Sequence, residues 1–425
     1  WGMLVEKFMG LKWEERQKEF DKLYDFSQES FTGIRVIKAF VKETKQLHAF
    51  AKVAKKNKDT NIAFVRTAVI FDAVIEVIIT AIMALLLGLG GYFVYKYATG
   101  QPAHVFGHAV DLTAGQLITF VGYFDVMVWP MMALGQLVSM RSRSKASLKR
   151  VTAFLDSEED VKSPENAVVL QDVKGVVEFK DFSFKYPSSD VEVLKNVTLT
   201  IDSGECIGVV GKIGSGKTTL VNTLLRLYNV EKGKVFIDGV DIMDCDIDSV
   251  RNAIGYVPQD NFLFSDKVKN NIAFSDRDVD MDRVYEAARF ADVHGNIEEF
   301  KDGYDTVSGE RGVTLSGGQK QRISIARAYI KDAPIMILDD SVSAVDVKTE
   351  ETILKNIAEK RKGKTTIVIA SRVSTVSHMD KILVLSNGEV EAFDAPEKLA
   401  ESSPTYKKMV FLQKLENEVE GGERK

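Results

Sequence analysis

The chain has 425 residues, 45% of them hydrophobic, and a formal net charge of −5, which allows two or three domains. Basic and acidic residues are interspersed, with no basic stripe beside aromatics, so nothing points to a nucleic-acid partner. The only cysteines, Cys206 and Cys245, are too few for a disulfide framework or a zinc site and fit a reducing cytosolic domain.

The chain opens on Trp1 without a signal-peptide pattern, and the missing initiator Met points to a fragment or a processed product. From Trp13 to Lys58 it is rich in Lys, Glu and Gln, with Gly33 as its one breaker. Phe20, Leu23, Tyr24, Phe26, Phe31 and Ile34 recur at helical spacings, which predicts a long amphipathic helix interrupted near Gly33.

Val77 to Tyr95 carries no charge and is close to the roughly 20 residues that cross a bilayer. Its N-terminal extension carries Asp72 and Glu76. Leu117 to Met140 is a second such run, with Asp125 its one charge and Pro130 an expected kink. Arg141, Arg143, Lys145, Lys149 and Arg150 follow the second run, a Lys-rich segment precedes the first, and the connecting loop has Lys96 as its firm positive charge. By the positive-inside rule both outer flanks are cytoplasmic and the loop lies outside. Intramembrane carboxylates mark cation pathways, and Asp125, deeper in its run, is a better candidate than Asp72 or Glu76. His104 and His108 in the loop lack a third ligand for a metal. Met127, Met131, Met132 and Met140 supply adaptable packing that would suit a promiscuous apolar cavity.

Ser157 to Asn166 is acidic and polar and reads as a linker; strand patterns alternating with helical ones follow and predict an α/β domain. The expected division is cytoplasmic helices over 1–60, a transmembrane segment over 61–156 with spans at about 69–95 and 117–140. A linker over 157–172, a nucleotide-binding domain over 173–415 and a frayed polar tail over 416–425 complete it.

The buried-strand pattern Cys206–Val210 leads into Gly211-Lys212-Ile213-Gly214-Ser215-Gly216-Lys217-Thr218 and then, through Thr219, into a helix over Leu220–Leu227. This is a P-loop in its strand–loop–helix context. Its glycines let consecutive N–H groups surround phosphate oxygens, and the helix N-terminus adds its positive dipole end. Lys217 is expected to reach the β/γ-phosphates and Thr218 to place its hydroxyl on Mg²⁺. A second buried strand, Ile335–Leu338, ends in Asp339, the expected Mg²⁺ holder. Asp340 follows, placed to polarise an attacking water. Between the two lies Leu315-Ser316-Gly317-Gly318-Gln319, another anion-binding helix start, running into an Arg-rich helix.

In this order the motifs resemble the ATP-binding cassette family, over nearly the whole chain. The resemblance implies an α/β P-loop NTPase with a helical subdomain, preceded by an all-α segment similar to the last two spans of a six-helix exporter half, the first four being absent. It further implies that Tyr186 stacks on adenine and that Gln259 contacts Mg²⁺ or water and senses the membrane domain. Thr306–Gly312 resembles the X-loop, Ser341–Asp346 the D-loop, and Phe31–Phe40 a cytoplasmic coupling segment. Two cassettes of the family bind ATP head to tail, each site pairing one chain's P-loop with the other's LSGGQ.

Two positions depart from the family pattern: Asp340 stands where a catalytic Glu is usual, and Ser371 where a switch His is usual. Aspartate is one methylene shorter, and a misplacement of about 1 Å can cost roughly a hundredfold in rate. The combination resembles one half of a heterodimeric exporter, with ATP and Mg²⁺ held at a slow site of its own and the signature serving a non-identical partner's competent site. A homodimer hydrolysing slowly through Asp340 is the alternative. The expected setting is a multi-pass cell membrane protein with its cassette in the cytoplasm, exporting a drug, lipid or peptide; an ATP-gated channel or regulator is the rival class. A soluble DNA-repair cassette is opposed by the membrane runs and by the absence of long heptads.

Overall fold

The computed structural model describes residues 2–422, except 102, 103, 106, 107, 310, 311, 343 and 344. Glu310 and Arg311 of the 306–312 segment, Ser343 and Ala344 of the 341–346 segment, and 423–425 of the tail thus lie outside the described residues. The chain divides into two units, Trp1–Ser157 and Glu158–Lys425.

The first unit holds α1 (Gly2–Thr32), α2 (Ile34–Ala39) and α3 (Glu43–Ala98), a hairpin of β1 (His104–Val105) and β2 (His108–Ala109), and α4 (Ala114–Leu155). The helix breaks at Gly33, which N-caps α2. A second break follows at Val41, which adopts φ +51, an uncommon value for a β-branched residue. α1 lies along α3: Glu19, buried within the unit, takes Lys22 Nζ at 2.8 Å and Lys56 Nζ at 3.0 Å. One turn earlier Arg16 covers the Trp13 and Phe64 rings, 4.9 and 5.2 Å from their centroids.

Among the described residues, α3 is the helix long and apolar enough to cross a membrane, with a mean hydropathy of 2.5 in its most apolar window. The second expected run lies on α4, which passes Pro130 without interruption. Thr113 and Gln116 close a reciprocal capping box at the start of α4. Asp72, Glu76 and Asp125 are exposed on their helices, as are His104 and His108 on the hairpin.

The second unit opens on β3 (Val177–Lys185), β4 (Glu192–Ile201), β5 (Cys206–Gly211), α5 (Lys217–Leu224), β6 (Val235–Ile237) and β7 (Val240–Asp241). It continues through α6 (Ile247–Asn252), β8 (Ile254–Val257), α7 (Val268–Ile272), α8 (Met281–Phe290), α9 (His294–Glu298) and a 3₁₀ turn at Gly303–Asp305. The C-terminal part is α10 (Gly317–Ile330), β9 (Ile335–Asp339), α11 (Val347–Lys360), β10 (Thr365–Ile369), α12 (Val373–Val376), β11 (Lys381–Ser386), β12 (Glu389–Asp394), α13 (Pro396–Ser402) and α14 (Pro404–Gly422). The sequence implies fraying from Glu416, yet the last helix runs on to Gly422.

A six-stranded sheet has the order β12-β11-β5-β10-β9-β8, parallel except for the β11–β12 hairpin; a four-stranded antiparallel sheet has the order β4-β3-β6-β7. β9 and β10 are buried at every position, as their unbroken apolar runs require of central parallel strands. β3 shows how a short strand evades strict alternation. Phe179 and Phe182 are three apart and would face opposite sides, but Asp181 at φ +45 forms an irregularity in register with β4, and both rings are buried.

The acidic stretch read as a linker is fastened to the α/β unit. Val168 N–H donates to the Asp244 carbonyl at 2.8 Å, and Asp246 N–H returns to the Val168 carbonyl at 2.9 Å. Arg226, 1% exposed, donates to the carbonyls of Ile242, Cys245 and Lys162 at 3.1, 2.8 and 2.9 Å. The Ser163 side chain adds to this, donating to Asp246 Oδ1 and accepting from Ile247 N–H, both at 2.9 Å. Composition alone could not show it, because the partners of the polar stretch lie 64 to 84 positions away along the chain.

Candidate phosphate site

β5 delivers the chain to the phosphate loop, and α5 leaves it. Gly211 cannot carry a side chain, since a Cβ there would collide with the Leu385 carbonyl oxygen on neighbouring β11. Gly216 caps α5 at φ +98, and a Cβ there would lie 2.7 Å from Leu194 Cδ2. Gly214, at φ +80, has open space around it and is required for its backbone angle alone. Lys212, Ile213 and Gly214 form the exposed tip of the loop.

The loop borders a cavity of about 250 Å³, which Gly211, Ile213, Gly214, Ser215, Gly216, Lys217, Thr218 and Thr219 line from one side. Gln259, Asp339, Asp340 and Ser371 reach it from β8, β9 and β10. These elements lie side by side in the sheet, so residues more than a hundred positions apart converge at the C-terminal ends of parallel strands.

Thr218 Oγ1 donates to Asp339 Oδ1 at 3.2 Å, and Tyr256 OH donates to Asp339 Oδ2 at 3.4 Å. Burial raises the Asp339 pKa above the ordinary carboxylate value; the Thr218 bond opposes this and the neighbouring Asp340 charge adds to it. Lys217 Nζ donates to the carbonyls of Gly211 and Lys212 at 2.9 and 3.1 Å. Burial lowers its pKa against the attraction of Asp340 and Asp339. Asp340 sits at φ +45 just beyond β9, a left-handed value that Asp tolerates better than most residues, and its N–H donates to the Ile369 carbonyl at 3.0 Å. Ser371 Oγ donates to Asp340 Oδ1 at 3.4 Å.

The cavity fits a phosphate–Mg²⁺ group. Among the described residues, buried Ser215 Oγ in the loop has no hydrogen-bond partner, a donor set to meet an anion. The Thr218 hydroxyl, the Asp339 carboxylate and the Gln259 amide offer oxygens, as a hard cation requires. Among the described residues no three His, Cys, Asp or Glu cluster as a metal cage. That donor set suits an ion whose shell is completed by phosphate and water.

The other predicted residues lie elsewhere. Tyr186 is not in the cavity wall: its OH shares a hydrogen bond of 2.9 Å with Thr219 Oγ1, and its ring stands edge-on to Phe184 and Tyr228. Leu315 is buried, while Ser316 and Gly317 are exposed at the head of α10, where Ser316 and Gln319 form a capping box. No residue of 315–319 borders the cavity. Asp346 caps α11 through Thr349 N–H at 3.1 Å, which holds its carboxyl below the usual range. Motif spacing missed Tyr256, which holds Asp339 from the adjacent strand; only the pairing of β8 with β9 places it there.

Comparison with known proteins bears on the family and the fold. The ABC transporter sequence profile matches residues 194–343, and the profile of the ABC transporter transmembrane region matches residues 3–131. The chain is 38% identical over 413 residues to the probable multidrug resistance ABC transporter ATP-binding/permease protein YheI of Bacillus subtilis (strain 168), covering 97% of this chain and 68% of the relative. It is 38% identical to the multidrug resistance-like ATP-binding protein MdlA of Escherichia coli (strain K12), covering 94% and 65%. It is 36% identical to an ATP-dependent lipid A-core flippase of Syntrophus aciditrophicus (strain SB), covering 92% and 63%. A bacterial Atm1-family ABC exporter with ATP bound superimposes with a TM-score of 0.85 at 28% identity, over 97% of this chain and 70% of that one. The chain thus spans about two thirds of the length of the curated relatives it matches.

Proposed function

Since this chain belongs to the ABC transporter family, as a membrane protein with an exporter fold and an ABC ATPase domain, we propose that it is one half of an ATP-driven exporter. Its own phosphate cavity holds MgATP and turns it over slowly, and its signature completes a competent site on a non-identical half. The cargo is a drug, lipid or peptide, the first two in keeping with the names of the multidrug and lipid A-core relatives. Residues 61–156, with spans near 69–95 and 117–140, form the membrane part, and the coupling segment around α2 passes movement between membrane and cassette.

The observation that carries the reading is the composition of the cavity. It gathers the phosphate loop, Asp339, Gln259, Asp340 and Ser371, and no residue of Leu315–Gln319. Exposed Ser316 and Gly317 are therefore available to a second cassette, whose own signature would close over this cavity. Within the site, Gly211–Thr219 hold the phosphates, Tyr186, outside the cavity wall, is the aromatic for adenine, and Thr218, Asp339 and Gln259 would hold Mg²⁺. That ion, when bound, neutralises charge between the phosphate oxygens. Asp340 and Ser371 occupy the place where an attacking water is oriented. A carboxylate one methylene short, bonded to a serine hydroxyl in place of an imidazole, supports slow chemistry there.

The test is steady-state ATP turnover of the assembled transporter. Asp340→Ala should change the rate little, whereas Ser316→Ala should abolish it. Complete loss of turnover in Asp340→Ala alone would mean that this cavity is the working one.

A further inference from the structure

β9 and β10 are paired in parallel with Ile369 opposite Asp339, and each strand continues into a loop and a helix. The first connection begins at Asp340 and ends at Asp346, the cap of α11; the second carries Ser371 and enters α12. At the cavity end the two connections are joined by the Ser371–Asp340 hydrogen bond. At the far end they are joined again. Thr375 Oγ1 donates to Glu350 Oε1, with both residues buried, and Arg372 Nη1 lies 3.9 Å from Glu350 Oε2.

Glu350 is one helical turn beyond Asp346, its N–H donating to the Asp346 carbonyl at 2.9 Å, and Thr375 stands four residues beyond Ser371. A carboxylate 6% exposed is a costly way to pack two helices together, since an apolar pair of similar volume would serve stability as well or better. What the carboxylate provides is direction. A hydrogen bond fixes the rotation of α11 against α12, which apolar contact leaves softer. The second helix is braced from its other side by α14: Ser374 N–H donates to Gln413 Oε1 at 3.0 Å, and Gln413 Nε2 donates to Ser374 Oγ at 2.6 Å.

We infer that Glu350 is a positioning residue for ATP turnover. Through Thr375 it holds the switch segment that carries Ser371 in register with the segment that runs from Asp340 to Asp346. The two segments then move as one frame when the cassette engages a second one. The inference rests on the reading of the cavity as an ATP site. It goes beyond that reading in assigning a role to a side chain that borders the phosphate cavity nowhere.

The test measures kcat and KM for MgATP at this chain's own site, read as phosphate release from the full-length assembly with the other site inactivated, together with MgATP affinity and Tm. Glu350→Ala and Thr375→Val should each lower kcat roughly tenfold, the scale expected of a misplacement under 1 Å, with KM and affinity within about twofold. The double variant should be no slower than the slower single one, because both remove one contact. Glu350→Gln keeps an acceptor for Thr375 Oγ1 and should recover kcat to within about threefold of the parent. Unchanged kcat in Thr375→Val, additive losses in the double variant, or kcat falling only in step with Tm would each overturn the inference. Loss of MgATP affinity in all variants would do the same, by showing a general collapse of the cassette. The ATP-site reading is tested separately by Lys217→Ala: if that variant binds MgATP normally, the cavity assignment fails, whatever Glu350 does.

Discussion

Ser371 and Asp340 share a hydrogen bond of 3.4 Å across the ends of two adjacent parallel strands, inside the wall of the phosphate cavity. On the reading proposed above, each stands where a longer residue is usual in the family, and in this chain the two side chains meet each other. A longer carboxylate and an imidazole placed there would extend further into the cavity. The Asp340→Glu, Ser371→His double variant should therefore raise single-turnover phosphate release at this site by about tenfold or more. Unaltered release would show that the length of these side chains does not limit the chemistry.

Asp339 gives a pH prediction. Burial raises its pKa, so the folded protein binds this proton more tightly than the unfolded chain does. The stability contributed by the protonated acid is present below the unfolded carboxylate value and is lost as pH climbs through the raised one. At neutral pH the charged group is thus a net burden on the nucleotide-free fold. Asp339→Asn should raise the Tm of the nucleotide-free protein at pH 7, with a smaller gain near pH 4, while removing Mg²⁺-dependent stabilisation by ATP. Equal Tm values for the two proteins across that pH range would refute the assignment.

Gly216 and Lys217 separate shape from charge. Gly216→Ala places a Cβ 2.7 Å from Leu194 Cδ2 at φ +98 and should cost about 1–3 kcal/mol, seen as a lowered Tm together with weakened ATP binding. Lys217→Ala removes an ammonium whose pKa is already depressed by burial and should leave Tm unchanged or slightly raised. Its ATP affinity should fall at least about tenfold, measured by titration with a fluorescent ATP analogue.

Arg226 makes a purely structural prediction. Arg226→Met retains bulk but leaves the carbonyls of Ile242, Cys245 and Lys162 without their buried donor. The loss should be about 2–5 kcal/mol in chemical unfolding. ATP affinity, measured well below the unfolding transition, should not change.

The sequence by itself determined the periodic and local parts of this protein. Gly211, Gly214 and Gly216 with Lys217 and Thr218 name a phosphate loop because the backbone angles and donors they supply are set within a few residues. The unbroken apolar runs of β9 and β10 mark buried parallel strands for the same local reason. The break at Gly33 and the cap at Ser316 are likewise written in adjacent residues. Tertiary structure decided everything that depends on strand order. Tyr256 reaches Asp339, Ser371 reaches Asp340, and Glu350 reaches Thr375 only because β8, β9 and β10 are neighbours. It also decided that Tyr186 leans on Thr219 and Tyr228, and that a stretch with the composition of a linker is bound to the α/β unit through the Lys162 carbonyl, the Ser163 hydroxyl and the Val168 backbone. Pairing register and backbone hydrogen bonding carry no residue-type signature, and so they were invisible until the chain was folded.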